Sequence, residues 1–568
     1  MLKKPRSRFL VMSFSALAVL LMLLSACGGG TPTTGNGGTP TTGGGTAVKG
    51  GTWIDDLYEE PDSLIPNASS ETFAAMVDFA LYAPLVYGTP QGQLQAGLLT
   101  EVPTAANGGI SADLKTWTLH FRSGLKWSDG QPLDARDMDF TWKLWSNAKF
   151  ATYNLINNQD IASADVSSDN LTITFHLKDP LVSFMANWAD GFYGPMPAHH
   201  FASMDPGTIL KSPDNLNPSV TSGPFMMSES KPTDHYTVVR NPNYYQAAQG
   251  LPYLDKVIFR IVPDLNTVTT DLQAGNIDSA YFLDVSKALV YKSLSNYSVV
   301  ADPKTYSFES LYFNFNNKIL ADNVDVRKAM SMAVDQTTLI QVARRGLGGP
   351  LCTEHTATQN PGYTQGIQCP KFDIKAANAL LDSKGWVKDK TTGIRSKNGQ
   401  KLEFQYSTTA GNLWRSDDQL INQQNFLKIG VKLDIQNYPA STFFGPVLND
   451  AKPGTFDIAE YATNNTYDPD SSSLFQCNAP SNLGKYCNPA MDAAYKAEQS
   501  SAVPSVRQAA FDKIHQIELS DFPFILEFSA PNVSIHKNGT NNYAPSLVGV
   551  GETVNIWQWW CDGGKCPA

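Results

Sequence analysis

The sequence predicts an α/β protein built as more than one lobe, on three observations. At 568 residues the chain is too long for a single hydrophobic core. Val257, Phe259 and Ile261 alternate as a strand, and Leu265, Val268 and Leu272 then repeat as one helix face stopped at Gly275. Farther on, Leu402–Tyr406, a helix over about 416–429 and Val431–Ile435 read as a β-α-β unit joined at Gly430.

Lys3, Lys4, Arg6 and Arg8 precede an apolar run from Phe9 to Leu24, the charged and hydrophobic regions of an export signal. Its end, Leu24-Ser25-Ala26-Cys27, resembles a bacterial lipobox, which implies cleavage after residue 26 and lipid on Cys27. Cleavage removes four of the 43 cations and none of the 53 acids, moving the net charge from −10 to −14. An acidic body disfavours nucleic acid and anionic lipid as partners. Residues 27–49 hold the heptapeptide GGTPTTG twice, at 29–35 and 37–43, and no core-forming run. That composition predicts a disordered tether spanning about 25 Å. The other cysteines, Cys352, Cys369, Cys477, Cys487, Cys561 and Cys566, form an even set. Proximity and local Gly/Pro content favour the pairs 352–369, 477–487 and 561–566. A zinc reading of the cysteines is weak: no Cys-x-x-Cys occurs, and only His355 lies near one of them.

In the body, Trp117, Leu119 and Phe121 alternate with polar residues as a half-buried strand. Turns at Gly124 and Asp129-Gly130 lead to Asp134, a helix cap, with Asp137 in the first turn. Met138, Trp142 and Trp145 then share one helical face. Leu171, Ile173, Phe175 and Leu177 make a second alternating strand, predicting a small sheet with the first. Leu311, Phe313 and Phe315 begin a second large lobe, and Phe456-Asp457-Ile458 a further strand before the loop to Asp470. The stretch 506–519 reads as a helix and 522–528 as an apolar strand. Catalytic motifs are absent: there is no Gly-x-Ser-x-Gly, no Walker A and no His-Glu-x-x-His. Asp468, Asp470 and Ser472 have the spacing of a calcium loop, but its Gly and Glu are missing. No cofactor or metal is expected.

Several of these segments carry a resemblance. Arg122-Ser123-Gly124, Trp127-Ser128-Asp129-Gly130 and Ala135-Arg136-Asp137 occur in the order seen in peptide/nickel-type solute-binding proteins of bacterial ABC importers. Glu60, Pro61 and Leu64, the segment 81–103, Thr221–Phe225, Arg240–Tyr245, Gln273–Asp278 and Val326–Asp335 are similar to further blocks of that family. The match runs in order from about residue 50 to 540; the tail with Trp557, Trp559 and Trp560 does not match closely. His199 and His200 follow a Pro-x-His step like the family's and read as structural.

The resemblance implies a two-lobed, type II periplasmic-binding-protein (Venus flytrap) fold with an extra subdomain in the first lobe. Lobe I is expected at 50–89, 218–308 and 529–568, the subdomain at 90–217, and lobe II at 309–528. It also implies a non-enzymatic, monomeric receptor that captures peptide between closing lobes and serves a permease and ATPase. A surface sensor or adhesin on the same fold, or a receptor for oligosaccharide, nickel or haem, is the alternative. Carried over by position, the ligand edges are Glu59 and Glu60 in lobe I, and Tyr461, Thr463, Asn464 and Asn465 in lobe II. Trp414 and Arg415, placed ahead of the 416–429 helix, join them. Peptide-binding relatives carry Asp three residues before an Asp/Glu-Pro pair; here that position is Asn465, so weak discrimination for free N-terminal amines is expected unless Glu59 or Glu60 supplies the charge.

Overall fold

The computed structural model describes residues 47–69, 71–150, 160–189, 194–301, 305–356, 359, 362–439, 442–452, 455–479, 481–548, 550–563 and 566. The export segment 1–26, Cys27 and the tether through residue 46 lie outside the described residues.

The chain enters on strand β1 (Thr52–Leu57) and helix α1 (Thr72–Leu81). A subdomain follows, with β2 (Thr116–His120), α2 (Ala135–Trp145), β3 (Ile161–Val166) and β4 (Thr172–Leu177). Next come β5 (Phe225–Lys231), β6 (His235–Arg240), β7 (Lys256–Ile261), α3 (Leu265–Ala274), β8 (Ser279–Ala280) and β9 (Tyr297–Val300). The second lobe holds β10 (Ser307–Phe313), β11 (Glu403–Ser407), α4 (Leu413–Lys428), β12 (Lys432–Ile435) and β13 (Ile458–Asn464). Helices α5 (Pro489–Gln499) and α6 (Pro504–Asp521) lead to β14 (Phe524–Ser529), and β15 (Ser534–Lys537) returns to the first lobe.

Seven strands form the first-lobe sheet in the order β9-β15-β8-β1-β7-β6-β5, and five form the second in the order β12-β11-β13-β10-β14. In the first, β1 runs parallel to β7 and β8, while β15 is antiparallel to β8 and β9. In the second, β11 is parallel to β12 and β13, as the β-α-β reading requires. The subdomain sheet has the predicted pair β2–β4, with Trp117 opposite Phe175, and β3 added at the edge.

The stretch before α2 shows why its residues recur in order. Asp134 accepts from Arg136 N, and Asp137 Oδ2 accepts from Asp134 N at 3.1 Å, a reciprocal cap. The same carboxylate takes Trp127 Nε1 at 3.2 Å and Ala198 N at 2.9 Å. Asp137 therefore joins the Trp127 loop, the helix start and the 196–201 turn. Ser128 then exchanges hydrogen bonds with Thr221 and accepts from Asn243 Nδ2, tying the subdomain to the first-lobe sheet. These residues are a scaffold for the junction, not a ligand site. His199 and His200 are likewise occupied, by Asp129 and Asp214.

The tail that matched nothing closely completes the first lobe. Trp559 is fully buried with its ring edge-on to Trp53, centroids 5.5 Å apart, and Trp557 meets Tyr87 at 5.3 Å. Gly51 pairs with Cys566, at φ +98°, where a Cβ would strike the Cys566 carbonyl. The three local disulfides are formed, over sequence separations of 17, 10 and 5. Among the described residues, no helix is long and apolar enough to cross a membrane.

Candidate functional site

The parallel strands frame the site, because open α/β sheets present ligand surfaces at their carboxyl ends. In the second lobe that end carries the start of α4. Asn412 caps the helix by accepting from Arg415 N at 3.3 Å, so Trp414 and Arg415 lie inside its first turn. This corrects the sequence reading, which began the helix at 416: the Asn cap, not the apolar periodicity, sets the start. The Trp414 ring meets two guanidinium groups, those of Arg344 and Arg415, whose carbons are 4.6 and 4.9 Å from its centroid. Arg415 itself is committed inward, with Nε 2.9 Å and Nη2 3.2 Å from the two oxygens of buried Glu309.

Around that pair lie Asp418, Glu460 and Glu527, all without solvent exposure. Glu527 accepts from Asn422 at 2.6 Å, and Tyr406 donates to Glu460. Neither oxygen of Asp418 meets a hydrogen-bond donor among the described residues. Burial pushes all of these acids upward, and Glu527 reaches about 8. The first lobe has a matching group: buried Asp55, pushed up to about 7 by burial, beside Glu552. An acid raised in the folded state holds a proton that the unfolded chain releases. Its stabilisation is complete below the ordinary carboxylate range and is lost as pH rises through the folded value. The melting temperature is therefore expected to fall by several degrees between about pH 6 and 9; calorimetry showing a flat or rising profile there would remove these acids as the protonated species.

The four residues carried over on β13 separate by strand period. Tyr461 and Thr463 point into the second-lobe core: Tyr461 stacks on Tyr312 at 4.2 Å, and Thr463 Oγ1 lies 2.6 Å from the Tyr312 hydroxyl. Both side chains are committed to Tyr312, so their expected place on an open ligand edge is corrected. Asn464, on the opposite face, is exposed. Asn465 is buried, its Nδ2 donating to the Glu354 carbonyl at 3.0 Å, while its Oδ1 has no hydrogen-bond partner among the described residues. The loop that follows touches the other lobe: Tyr467 OH is 3.2 Å from Ser546 Oγ, and Ser183 donates to Asp470 at 3.0 Å. Asp468 is held by Arg507 Nη1 at 2.8 Å, so the calcium spacing serves an ion pair.

In the first lobe, Glu60 is occupied by Thr233 N and by the Tyr236 hydroxyl, at 2.7 and 2.9 Å, whereas Glu59 is exposed. Among the described residues, no hydrogen bond or ion pair joins Glu59 or Glu60 to Trp414, Arg415 or Asn465. The sequence reading missed an aromatic group here. Tyr58 and Phe282 follow parallel neighbours β1 and β8 and stack at 5.8 Å, with Phe73 edge-on to Phe282 at 6.3 Å. Phe282 is 38% exposed and takes φ +62°, a backbone conformation rare for a side chain of that size. The available signal was an aromatic residue just past each strand. A cavity of about 190 Å³ lies beside both connections between the lobes, lined by Tyr281, Val300, Thr305, Asn532 and Tyr543 among others.

A model of the bacterial extracellular solute-binding proteins, family 5 (middle), matches residues 98–485. The chain belongs to this family. Against a probable ABC transporter-binding protein of Deinococcus radiodurans, the family 5 chain is 31% identical over 357 residues, which are 57% of it and 59% of that relative. It is 24% identical to the oligopeptide-binding protein AppA of Bacillus subtilis over 573 residues, covering 98% and 99% of the two chains. The structure of that AppA in complex with a nonapeptide superposes with TM-score 0.77 at 21% identity, over 91% of this chain and 100% of that one. The type II binding-protein fold of this family 5 member is thus common to both.

Proposed function

We propose that this chain is the receptor of an ABC importer, capturing peptide between its two lobes and delivering it to a membrane permease. The observation that carries the reading is the position of Asn465: it begins the loop whose Tyr467 and Asp470 reach the other lobe, so a ligand held there is enclosed from both sides. The relatives named for peptide binding and for ABC transport support the same assignment. The lobes are assigned as 50–89, 218–308 and 529–568 against 309–528, with 90–217 as the inserted subdomain. The receptor acts as a monomer, by binding rather than catalysis. Its ligand surface is assigned to Glu59, Trp414, Asn464 and Asn465, with Tyr58 and Phe282 added.

Cys27 is proposed as the lipid anchor, since only its thiol can take the diacylglycerol. Cys27→Ser is expected to release the chain from the membrane fraction; a variant that still incorporates palmitate would sink the assignment.

Asn465 sets the ligand chemistry. Its free Oδ1 accepts a hydrogen bond but brings no charge to an ammonium group. A hydrogen bond to a charged group is worth about 1.5–3 kcal/mol, or roughly tenfold to a hundredfold in affinity. In calorimetry, the wild type is expected to bind matched free and N-acetylated peptides within about tenfold of each other. Asn465→Asp is expected to favour the free amine by the larger factor. Tight wild-type binding that acetylation abolishes would place an anionic anchor elsewhere, Glu59 first. Binding of oligosaccharide and no peptide would overturn the peptide assignment while leaving the receptor role.

A further inference from the structure

We propose that Glu354, His355 and His515 hold a zinc ion inside the second lobe, with Glu518, hydrogen-bonded to Glu354, turning in as the fourth ligand. Glu354 and His515 are fully buried, His355 is 1% exposed and Glu518 5%. The ligand atoms of the first three lie within 4.8 Å of one another.

The hydrogen bonds around the cluster leave two ring nitrogens without a hydrogen. His355 Nε2 is 2.5 Å from the Pro469 carbonyl, which can only accept, so Nε2 carries the hydrogen and Nδ1 of the neutral ring is bare. Thr364 Oγ1 donates its single hydrogen to Asp512 at 2.7 Å, so it accepts from His515 Nδ1 at 2.6 Å. That leaves His515 Nε2 bare as well. The two bare nitrogens face each other at 2.9 Å, lone pair against lone pair. Only a cation between them resolves this: a shared proton or a metal ion.

Three features favour the metal. A shared proton satisfies the nitrogens alone, and the Glu354–Glu518 carboxyl pair then needs a second proton of its own, since among the described residues Glu354 Oε2 and both oxygens of Glu518 lack an amide or hydroxyl donor. A divalent ion bound by two neutral imidazoles and two carboxylates takes up all of these groups and leaves no net charge buried. Glu354 faces both nitrogens of the 2.9 Å pair, with Oε1 3.4 Å from His355 Nδ1 and Oε2 3.7 Å from His515 Nε2, so a turn of the carboxylate brings one oxygen to the spacing of about 3.3 Å around tetrahedral zinc. The outer nitrogens of both rings are fixed by a carbonyl and by the Thr364–Asp512 relay, the outer-shell arrangement that holds metal-ligating histidines. Imidazole and carboxylate ligands in a closed four-coordinate setting select zinc among divalent ions. The nearby sulfur of Cys352 is locked in its disulfide and does not compete.

The ion would order the ligand edge, because the Glu354 carbonyl accepts from Asn465 and His355 holds the Pro469 carbonyl. The test uses the full exported chain, stripped with chelator and reloaded with zinc or cobalt(II). One zinc per chain is expected to survive gel filtration, with a melting temperature several degrees above the stripped protein. Cobalt is expected to give the intense visible bands of a tetrahedral centre. His515→Gln and Glu354→Gln should lose both signals while His199→Gln keeps them. If the first two variants fail to fold, the wild-type zinc ratio and cobalt spectrum decide alone. Folded wild type that retains neither ion, or nitrogen NMR of the reloaded protein showing one proton shared between the two rings, would overturn the site.

Discussion

Trp559→Ala is expected to cost about 3–5 kcal/mol, the range for emptying a large aromatic site in a packed core. The ring is fully buried against Trp53 and lies 4.9 Å from Tyr543, and its Nε1 donates to Asn555 at 2.9 Å. Its removal opens a hole directly beneath β1, the strand on which the first-lobe sheet is centred. Urea unfolding followed by tryptophan fluorescence and by circular dichroism should show the midpoint drop in both signals. A midpoint within the error of wild type would mean that residues 553–561 do not belong to the first lobe's cooperative unit.

The second large effect is expected at Arg415. Arg415→Ala leaves Glu309 buried beside Asp418, Glu460 and Glu527 with Arg344 as the remaining nearby cation. Stranding one partner of a buried ion pair costs about 3–5 kcal/mol, more than the pair contributes over a neutral replacement. The double variant Arg415→Met/Glu309→Gln should therefore recover most of the loss. Chemical denaturation of the two single variants and the double variant closes the cycle. A loss below about 1 kcal/mol in Arg415→Ala would show that Glu309 simply takes a proton and needs no guanidinium.

Much of the fold was legible because its signals are local. Trp117 and Phe175 announce their strands by alternation, and Gly275 and Asp134 mark helix ends in the places the structure uses them. Strand β3 escaped notice because its sequence, IASADV, lies at a sheet edge and turns little apolar surface inward. The site was less legible for a geometric reason. Sequence places β13, but a strand has two faces, and a one-residue step separates core-facing Thr463 from exposed Asn464. Tyr58 and Phe282 are separated by a long stretch of chain and meet only because β1 and β8 are parallel neighbours. The buried histidine pair is also far apart in sequence, and the sole hint, His355 near Cys352, pointed at the wrong partners.

Strand β15 occupies an interior slot of the first sheet, between β8 and β9, although both of those strands precede the entire second lobe in the chain. A polypeptide emerging amino end first must therefore carry two unpaired strand edges until residue 537 has crossed. Such edges are templates for pairing with other chains, and contacts of long sequence separation form slowly. The first lobe consequently begins folding first and finishes last. The intervening period, when the second lobe is complete but the slot stands open, is when this protein is most exposed to misassembly and most in need of a holding chaperone outside the cytoplasm.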